Sequence, residues 1–284
     1  MNPTRPTEVR AALHELGVRP SKALGQNFLI DRNILDILLG AAELSADDVV
    51  LEIGPGLGVV TGELLSAARR VVAVEKDGRL SEFLSRAFAG SRKLELIHAD
   101  ALTLDFNRVF AGVNKVVANL PYSVGSRLLV ECFRADTPPA LIVVTVQEEV
   151  AQRLAAPPDD PARGLLSVWA QLAHAVRLVK RVSSTCFWPA PEVGSAIVSL
   201  RRHARPLATP DVKALFFDLT RRAFTYRRKQ LATVLHRAPP PLRVGADATS
   251  PLLHSVQIDP AARPERLSVE DWLRLAGALL ARRQ

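Results

Sequence analysis

Five short apolar runs, each parted from the next by a stretch long enough for a helix, restrict the fold of this chain more than any other feature. They lie at residues 49–53, 71–74, 94–97, 116–118 and 141–146 and are built mainly from Val, Leu and Ile. A strand with one wet face alternates apolar and polar residues, whereas a strand that is apolar nearly throughout is buried on both faces. Strands of that kind, spaced by helices, form a parallel sheet covered on both sides. The fold class is therefore α/β, a doubly wound Rossmann-like sheet, with ligands expected outside the carboxyl ends of its strands.

After Gln147 the pattern changes. Helices are expected over 148–156 and 164–173, followed by extended runs near 174–183 and 195–201. The polar, proline-containing stretch 201–210 reads as a boundary. Beyond it, Val212, Leu215, Phe216, Leu219, Ala223, Leu231, Val234 and Leu235 form one helical stripe over 211–237. A last helix is expected at 268–283, with Ser268 as N-cap and Glu270 and Asp271 in its first turn. The expected domains are 1–204, with a helical N-terminal segment 1–46, and a small all-helical domain 205–284.

Net charge is +8 and unevenly placed. Residues 1–200 hold 21 Lys+Arg against 22 Asp+Glu, and residues 201–284 hold 16 against 7. A basic module joined to a neutral one points to a polyanionic partner, nucleic acid before a membrane surface. Two cysteines and six scattered histidines give neither a disulfide framework nor metal-ligand spacing, so no metal is expected. No run has the eighteen or so apolar residues of a membrane span, and the first ten residues lack a signal-peptide core. The expectation is a cytoplasmic monomer with no membrane contact.

Chemistry gathers at the strand ends. After the first strand comes Glu52-Ile53-Gly54-Pro55-Gly56-Leu57-Gly58, in which Gly54, Gly56 and Gly58 allow a sharp turn and a close approach to a ligand. The spacing is not that of the dinucleotide fingerprint, and a carboxylate at Glu52 would repel a pyrophosphate. It suits a ligand with a positive centre and an amino group, such as S-adenosylmethionine. Glu75 ends the second strand, where an acid accepts from ribose hydroxyls. Asp100 ends the third and is placed to accept from an adenine amino group.

Asn119-Leu120-Pro121-Tyr122 follows the fourth strand. The exocyclic amine of adenine is a poor nucleophile because its lone pair is delocalised into the ring. Two acceptors for its N–H groups would localise that pair: the Asn119 side-chain carbonyl and a main-chain carbonyl, assigned to Leu120. Pro121 stiffens the loop, and Tyr122 offers a face for stacking worth about 1–3 kcal/mol. Phe187 and Trp188, on the proline-rich stretch 187–191, are both candidates for a second wall, and either could instead fill the core.

These residues carry a resemblance. Residues 24–29, 52–58 and 119–122 match it, together with Phe187-x-Pro189-x-Pro191-x-Val193-x-Ser195-Ala196, Phe224-x-x-Arg227-Arg228-Lys229 and Arg263-Pro264-Glu265-x-Leu267-Ser268. The chain resembles the KsgA/RsmA family of small-subunit (16S) rRNA adenine N6-dimethyltransferases, which is related to the Erm resistance enzymes. The resemblance implies an S-adenosylmethionine-dependent methyltransferase domain that transfers four methyl groups to two adjacent adenosines. Their place is the loop of the 3′-terminal hairpin of small-subunit rRNA, in a partly assembled subunit during ribosome biogenesis. It selects Phe187 as the second wall and implies cofactor contacts from Asn27, Leu29, Gly54, Glu75, Asp100 and Asn119. With Glu52, Gly56 and Gly58 from the loop, Gln26 and Ala101 complete the expected cofactor set.

RNA contacts are expected from Arg221, Arg222, Arg227, Arg228 and Lys229. In one continuous helix Arg221 and Arg228, and likewise Arg222 and Lys229, would share a face away from the apolar stripe. An Erm-type enzyme acting on large-subunit rRNA, a DNA adenine methyltransferase, and an assembly factor whose binding rather than catalysis is essential are the alternatives. The segment 263–265 and the length of the C-terminal domain favour the small-subunit type, and a DNA enzyme should carry a larger target-recognition domain.

Overall fold

A computed structural model describes residues 5–21 and 24–282. The chain divides into two compact units, and not by a single cut. The chain up to Ala151 forms one unit together with Ala175–Arg202; Gln152–His174 joins the chain from His203 onward in the other. The expected division, 1–204 and 205–284, therefore differs from the structure in the segment 152–174.

Among the described residues the first unit is built on nine strands, β1 (Phe28–Leu29), β2 (Val49–Ile53), β3 (Arg70–Glu75), β4 (Leu94–His98), β5 (Lys115–Asn119), β6 (Leu141–Gln147), β7 (His174–Val182, whose first residue belongs to the second unit), β8 (Phe187–Trp188) and β9 (Ser195–Arg202). Seven of them form one sheet in the order β4-β3-β2-β5-β6-β9-β7. Strands β2 to β6 pair in parallel, and β9 returns antiparallel to β6. All five residues of β2 are buried, as its uninterrupted apolar run requires. From β2 the chain winds outward through β3 and β4, then crosses back to β5 on the other side of β2. That reversal opens a crevice at the carboxyl ends of β2 and β5.

One face of the sheet presents Val50, Val71, Val117, Val143 and Ile197 to Leu35 and Leu38 of the helix Arg32–Ala42. Asp31 caps that helix, its side chain accepting from the Ile34 amide at 3.0 Å. The pair β1–β8 lies outside the main sheet, with Phe28 opposite Trp188 and Leu29 opposite Phe187. Of the expected helical segment 1–46, residues 1–4 and 22–23 lie outside the described residues. The rest holds the helices Pro6–Glu15 and Arg32–Ala42 with β1 between them.

The second unit is helical. Trp169, in the helix Leu165–Ala173, donates to Thr220 Oγ1 at 2.9 Å and meets the Phe217 ring edge-on at 4.8 Å. Fully buried Arg163 donates twice to the Leu267 carbonyl, at 2.9 and 3.2 Å, and also to the Ala156 carbonyl and Gln171 Oε1. These bonds are why 152–174 belongs with the C-terminal chain. The helix Val269–Ala281 starts where its cap predicts, Ser268 and Asp271 forming a capping box.

The helix expected over 211–237 is instead two, Pro210–Thr225 and Leu231–His236. The second takes its first backbone bonds from a distant loop, Leu231 N–H to the Ala262 carbonyl at 2.8 Å and Ala232 N–H to that of Pro260 at 3.2 Å. Tertiary acceptors thus replace the preceding helical turn. Arg228 and Lys229 sit in the turn between the helices, so the shared faces expected with Arg221 and Arg222 do not form.

Candidate active site

The carboxyl ends of β2, β3 and β5 and the loop after β4 converge on one pocket in the first unit, lined by Glu52, Gly54, Glu75, Asp100 and Asn119 and floored by the segment 24–29. Gly54, Gly56 and Gly58 all have positive φ, as the turn demands. Their roles diverge. A Cβ on Gly54 would lie 2.9 Å from Pro121, so the glycine loop and the tetrapeptide touch only because that atom is missing. A Cβ on Gly58 would instead strike Phe88 at 2.7 Å and Leu84 at 3.0 Å. Gly58 does not line the pocket; it lets two helices pack, which corrects its assignment to ligand approach.

The pocket is acidic. Glu52 is buried, and the loss of water pushes its carboxyl up to about 8, against a hydrogen bond from Thr61 Oγ1 at 2.6 Å; the nearby Glu75 carboxylate raises it further. Burial also raises Glu75, although the amides of Gly56 at 3.0 Å and Asp77 at 2.9 Å donate to it. Glu75 thereby ties the glycine loop to the end of β3. Asp100 is held low, first by Lys76 Nζ at 2.8 Å and then by the Leu102 amide at 2.9 Å. Each Asp100 oxygen accepts one of these bonds and keeps a lone pair for a ligand. Gln26 accepts from the Ser21 amide and Leu29 pairs with Phe187, so both anchor the floor, and Ala101 also lines the pocket.

Asn119 ends β5 with its side chain fixed. Its Nδ2 donates to the Asn27 main-chain carbonyl at 2.8 Å, which decides which side of the amide is oxygen. Oδ1 is buried and has no hydrogen-bond partner. A buried acceptor without a donor costs about 1–3 kcal/mol, so a group that supplies one is expected. The Leu120 amide donates to the Thr145 carbonyl at 3.2 Å, which orients the next peptide. Tyr122 is gripped at both ends: its hydroxyl bonds to Ser195 Oγ and its ring meets Phe187 edge-on, with centroids 6.3 Å apart and planes at 72°.

Phe187 is therefore not a second wall in this structure. It is 2% exposed and packed with Leu29, Val182 and Ile197 in the core. Two parallel faces separated by a base are not what Tyr122 and Phe187 form here. The structure also brings forward two residues that sequence reasoning did not single out, Thr61, which holds Glu52, and Lys76, which holds Asp100. Asn27, expected as a cofactor contact, orients Asn119 through its carbonyl. Ser195, noted only as part of a matching motif, holds Tyr122.

Of the expected RNA contacts, three are tied within the second unit. Arg221 lies 5.6 Å over the Trp169 ring, Arg222 donates to the Arg237 carbonyl at 2.8 Å, and Arg227 donates to that of Pro161 at 2.9 Å and pairs with Glu265. Arg228 and Lys229 are exposed, and their side chains have no partner among the described residues. No group of His, Cys, Asp and Glu that could hold a metal is found among the described residues, and no helix there is long and apolar enough to cross a membrane.

A family model described as ribosomal RNA adenine dimethylase matches residues 18–280. A ribosomal RNA small subunit methyltransferase A of Pelotomaculum thermopropionicum is 39% identical, over 97% of this chain and 96% of that protein. One from Phenylobacterium zucineum is 40% identical over 99% and 95%. Among solved structures, a dimethyladenosine transferase from Plasmodium falciparum superposes with a TM-score of 0.73 at 26% identity, covering 87% of this chain and 95% of that one. The 23S rRNA methyltransferase ErmE superposes with a TM-score of 0.67 at 28% identity, covering 89% and 99%.

Proposed function

The chain belongs to the ribosomal RNA adenine dimethylase family, and from that premise we propose how its pocket methylates N6 of adenosine in small-subunit rRNA with S-adenosylmethionine as donor. The observation that carries the reading is the unpartnered, buried Oδ1 of Asn119.

The pocket fits that cofactor. Glu52 is a carboxyl that burial keeps protonated near neutrality unless a cation joins it, and the ammonium group of a methionine moiety is such a cation. Glu75 and Asp100 would hold the ribose hydroxyls and the adenine amino group, and Gly54 lets the backbone approach. S-adenosylmethionine supplies an electrophilic methyl group on a sulfonium centre.

The rest is the work of the chain. Asn119 Oδ1 accepts one N6–H of the target adenine and the Leu120 carbonyl the other, which draws the nitrogen toward tetrahedral geometry and localises its lone pair. No strong base is required, since the methylated nitrogen loses its proton to water readily. Pro121 stiffens the acceptors, and Tyr122 stacks on the base. For Phe187 to form the opposite wall, the Tyr122–Phe187 edge contact must open as the base enters. The target leaves its own stack at least cost in a hairpin loop, in keeping with two adjacent adenosines of the 3′-terminal hairpin. Under this reading the enzyme acts in the cytoplasm on a partly assembled small subunit, and the basic C-terminal unit supplies phosphate contacts.

The test is primer extension across both rRNAs after incubation with labelled S-adenosylmethionine. Label and stops confined to small-subunit rRNA are expected, and Asn119→Ala should lower kcat by about 10²–10³ while leaving RNA affinity unchanged. Label found only on large-subunit rRNA, or on DNA, would overturn the reading.

A further inference from the structure

We propose that Tyr226, with the Arg222 guanidinium stacked against it, is a docking platform for an unpaired nucleotide of the substrate RNA. The proposal rests on the rRNA reading above and adds a residue that reads base rather than phosphate. Tyr226 is 42% exposed, one of few large apolar side chains so exposed among the described residues. It sits at the C-cap of the helix Pro210–Thr225, its amide held by the Ala223 carbonyl at 3.0 Å.

The ring does not swing freely. The Arg222 guanidinium lies 4.3 Å from its centroid, and Arg222 also reaches the Tyr226 hydroxyl at 3.3 Å and the Arg237 carbonyl at 2.8 Å. One face is thus covered by an anchored cation, and the residue keeps 42% of its surface exposed. Holding an aromatic ring in one orientation at the surface reduces the entropy lost when a flat partner stacks on it.

The neighbouring residues identify that partner. Arg228 and Lys229 follow within three positions, exposed and with no side-chain partner among the described residues, while Arg227 turns inward to Pro161 and Glu265 and fixes the turn from within. The unit that carries them holds 16 Lys+Arg against 9 Asp+Glu. A π face beside two exposed cations within one turn matches a ligand that presents a flat ring and phosphates one nucleotide apart. An unpaired stretch of RNA does so, whereas a duplex hides its base faces and a membrane surface offers none.

The experiment measures binding of the full chain to small-subunit rRNA across a salt series, with Tyr226→Ala, Tyr226→Leu, Tyr226→Phe and the double variant Arg228→Ala/Lys229→Ala. Loss of the ring, to Ala or Leu, should raise Kd by about five- to a hundredfold with the salt slope unchanged. Phe should stay within about twofold of wild type. The double variant should instead flatten the slope by about 1.4–1.8, two phosphate contacts' worth. Equal affinity of Tyr226→Leu and wild type, or a Phe variant as weak as Ala, would overturn the platform. A wild-type chain without affinity for rRNA would overturn the rRNA reading itself, a result distinguishable from either.

Discussion

Glu52 shows how much chemistry one strand-end residue can hold. Its carboxyl is out of water, one hydroxyl donates to it, and burial pushes it up to about 8 from an ordinary 4.5. The folded chain therefore keeps a proton that the unfolded chain releases, so the contribution of this group to stability is full below about pH 4.5 and is lost as pH rises toward 8. A bound ammonium reverses the preference and expels the proton. Calorimetry of S-adenosylmethionine binding near pH 7, in buffers of unlike ionisation enthalpy, should report release of nearly one proton by the wild type and none by Glu52→Gln. Identical apparent enthalpies in all buffers for the wild type would sink the assignment. Glu52, Glu75, Asp100 and Asn119 were legible because a doubly wound sheet sends every strand end to the same edge, so position in sequence is position in space. Phe187 was not. An aromatic residue on a proline-rich loop reads equally as wall or core, and where it sits, edge-on to Tyr122 and paired with Leu29 across β1 and β8, depends on contacts distant in sequence. The Asn27 carbonyl that orients Asn119 comes from 92 residues away and leaves no local signal.

The segment 24–29 is the element that aligns the reactive loop. Gly25 has φ of 65°, and a Cβ there would lie 2.6 Å from the Ser123 nitrogen and 2.8 Å from that of Tyr122. Its carbonyl accepts from the Tyr122 amide at 3.4 Å, and two residues on, the Asn27 carbonyl accepts from Asn119. Gly25→Ala meets backbone on the far side, which cannot rotate away. The variant should lose about 1–3 kcal/mol of stability from the strained backbone and, in single-turnover methylation of the folded protein, about tenfold or more in rate from misplaced acceptors. Gly58→Ala is the contrast: its added methyl presses on Phe88 and Leu84, away from the pocket. It should lower the melting temperature and leave the single-turnover rate of the folded protein near wild type. A full rate in Gly25→Ala would show that the segment does not align the loop. Such elements escape sequence reading because two-residue strands have no period to detect. The long central strands and the capped helix at Ser268 declare themselves, while the break at 226–230 depends on acceptors supplied from residues 260–262.

At the scale of the whole molecule, the charge asymmetry is legible in the sequence, but the boundary it suggests is not the one the chain uses. Residues 203–284 close their core with a segment that lies before β7. Trp169 supplies an indole against Phe217 and a hydrogen bond to Thr220, and Arg163 carries the Leu267 carbonyl on two of its N–H groups. Nothing local marks 152–174 for that role, since its helix reads like any other that might cover a sheet. The consequence is testable. A fragment 205–284 keeps the basic charge but would strip Phe217 and Thr220 of Trp169 and leave the Leu267 carbonyl without the two Arg163 donors. Eighty residues have little stability to lose, and removing a large core aromatic alone costs about 3–5 kcal/mol. The fragment should show no cooperative thermal transition by circular dichroism. In the full chain, Arg163→Ala should lower stability by about 3–5 kcal/mol, because four hydrogen bonds from one buried guanidinium disappear and the buried Leu267 carbonyl loses two donors. If the fragment instead melts cooperatively, the C-terminal residues fold by themselves and 152–174 merely rests on them. A folded fragment would then keep Tyr226 anchored and bind RNA without the rest of the chain, whereas a fragment that does not fold loses the anchored Tyr226 together with its core.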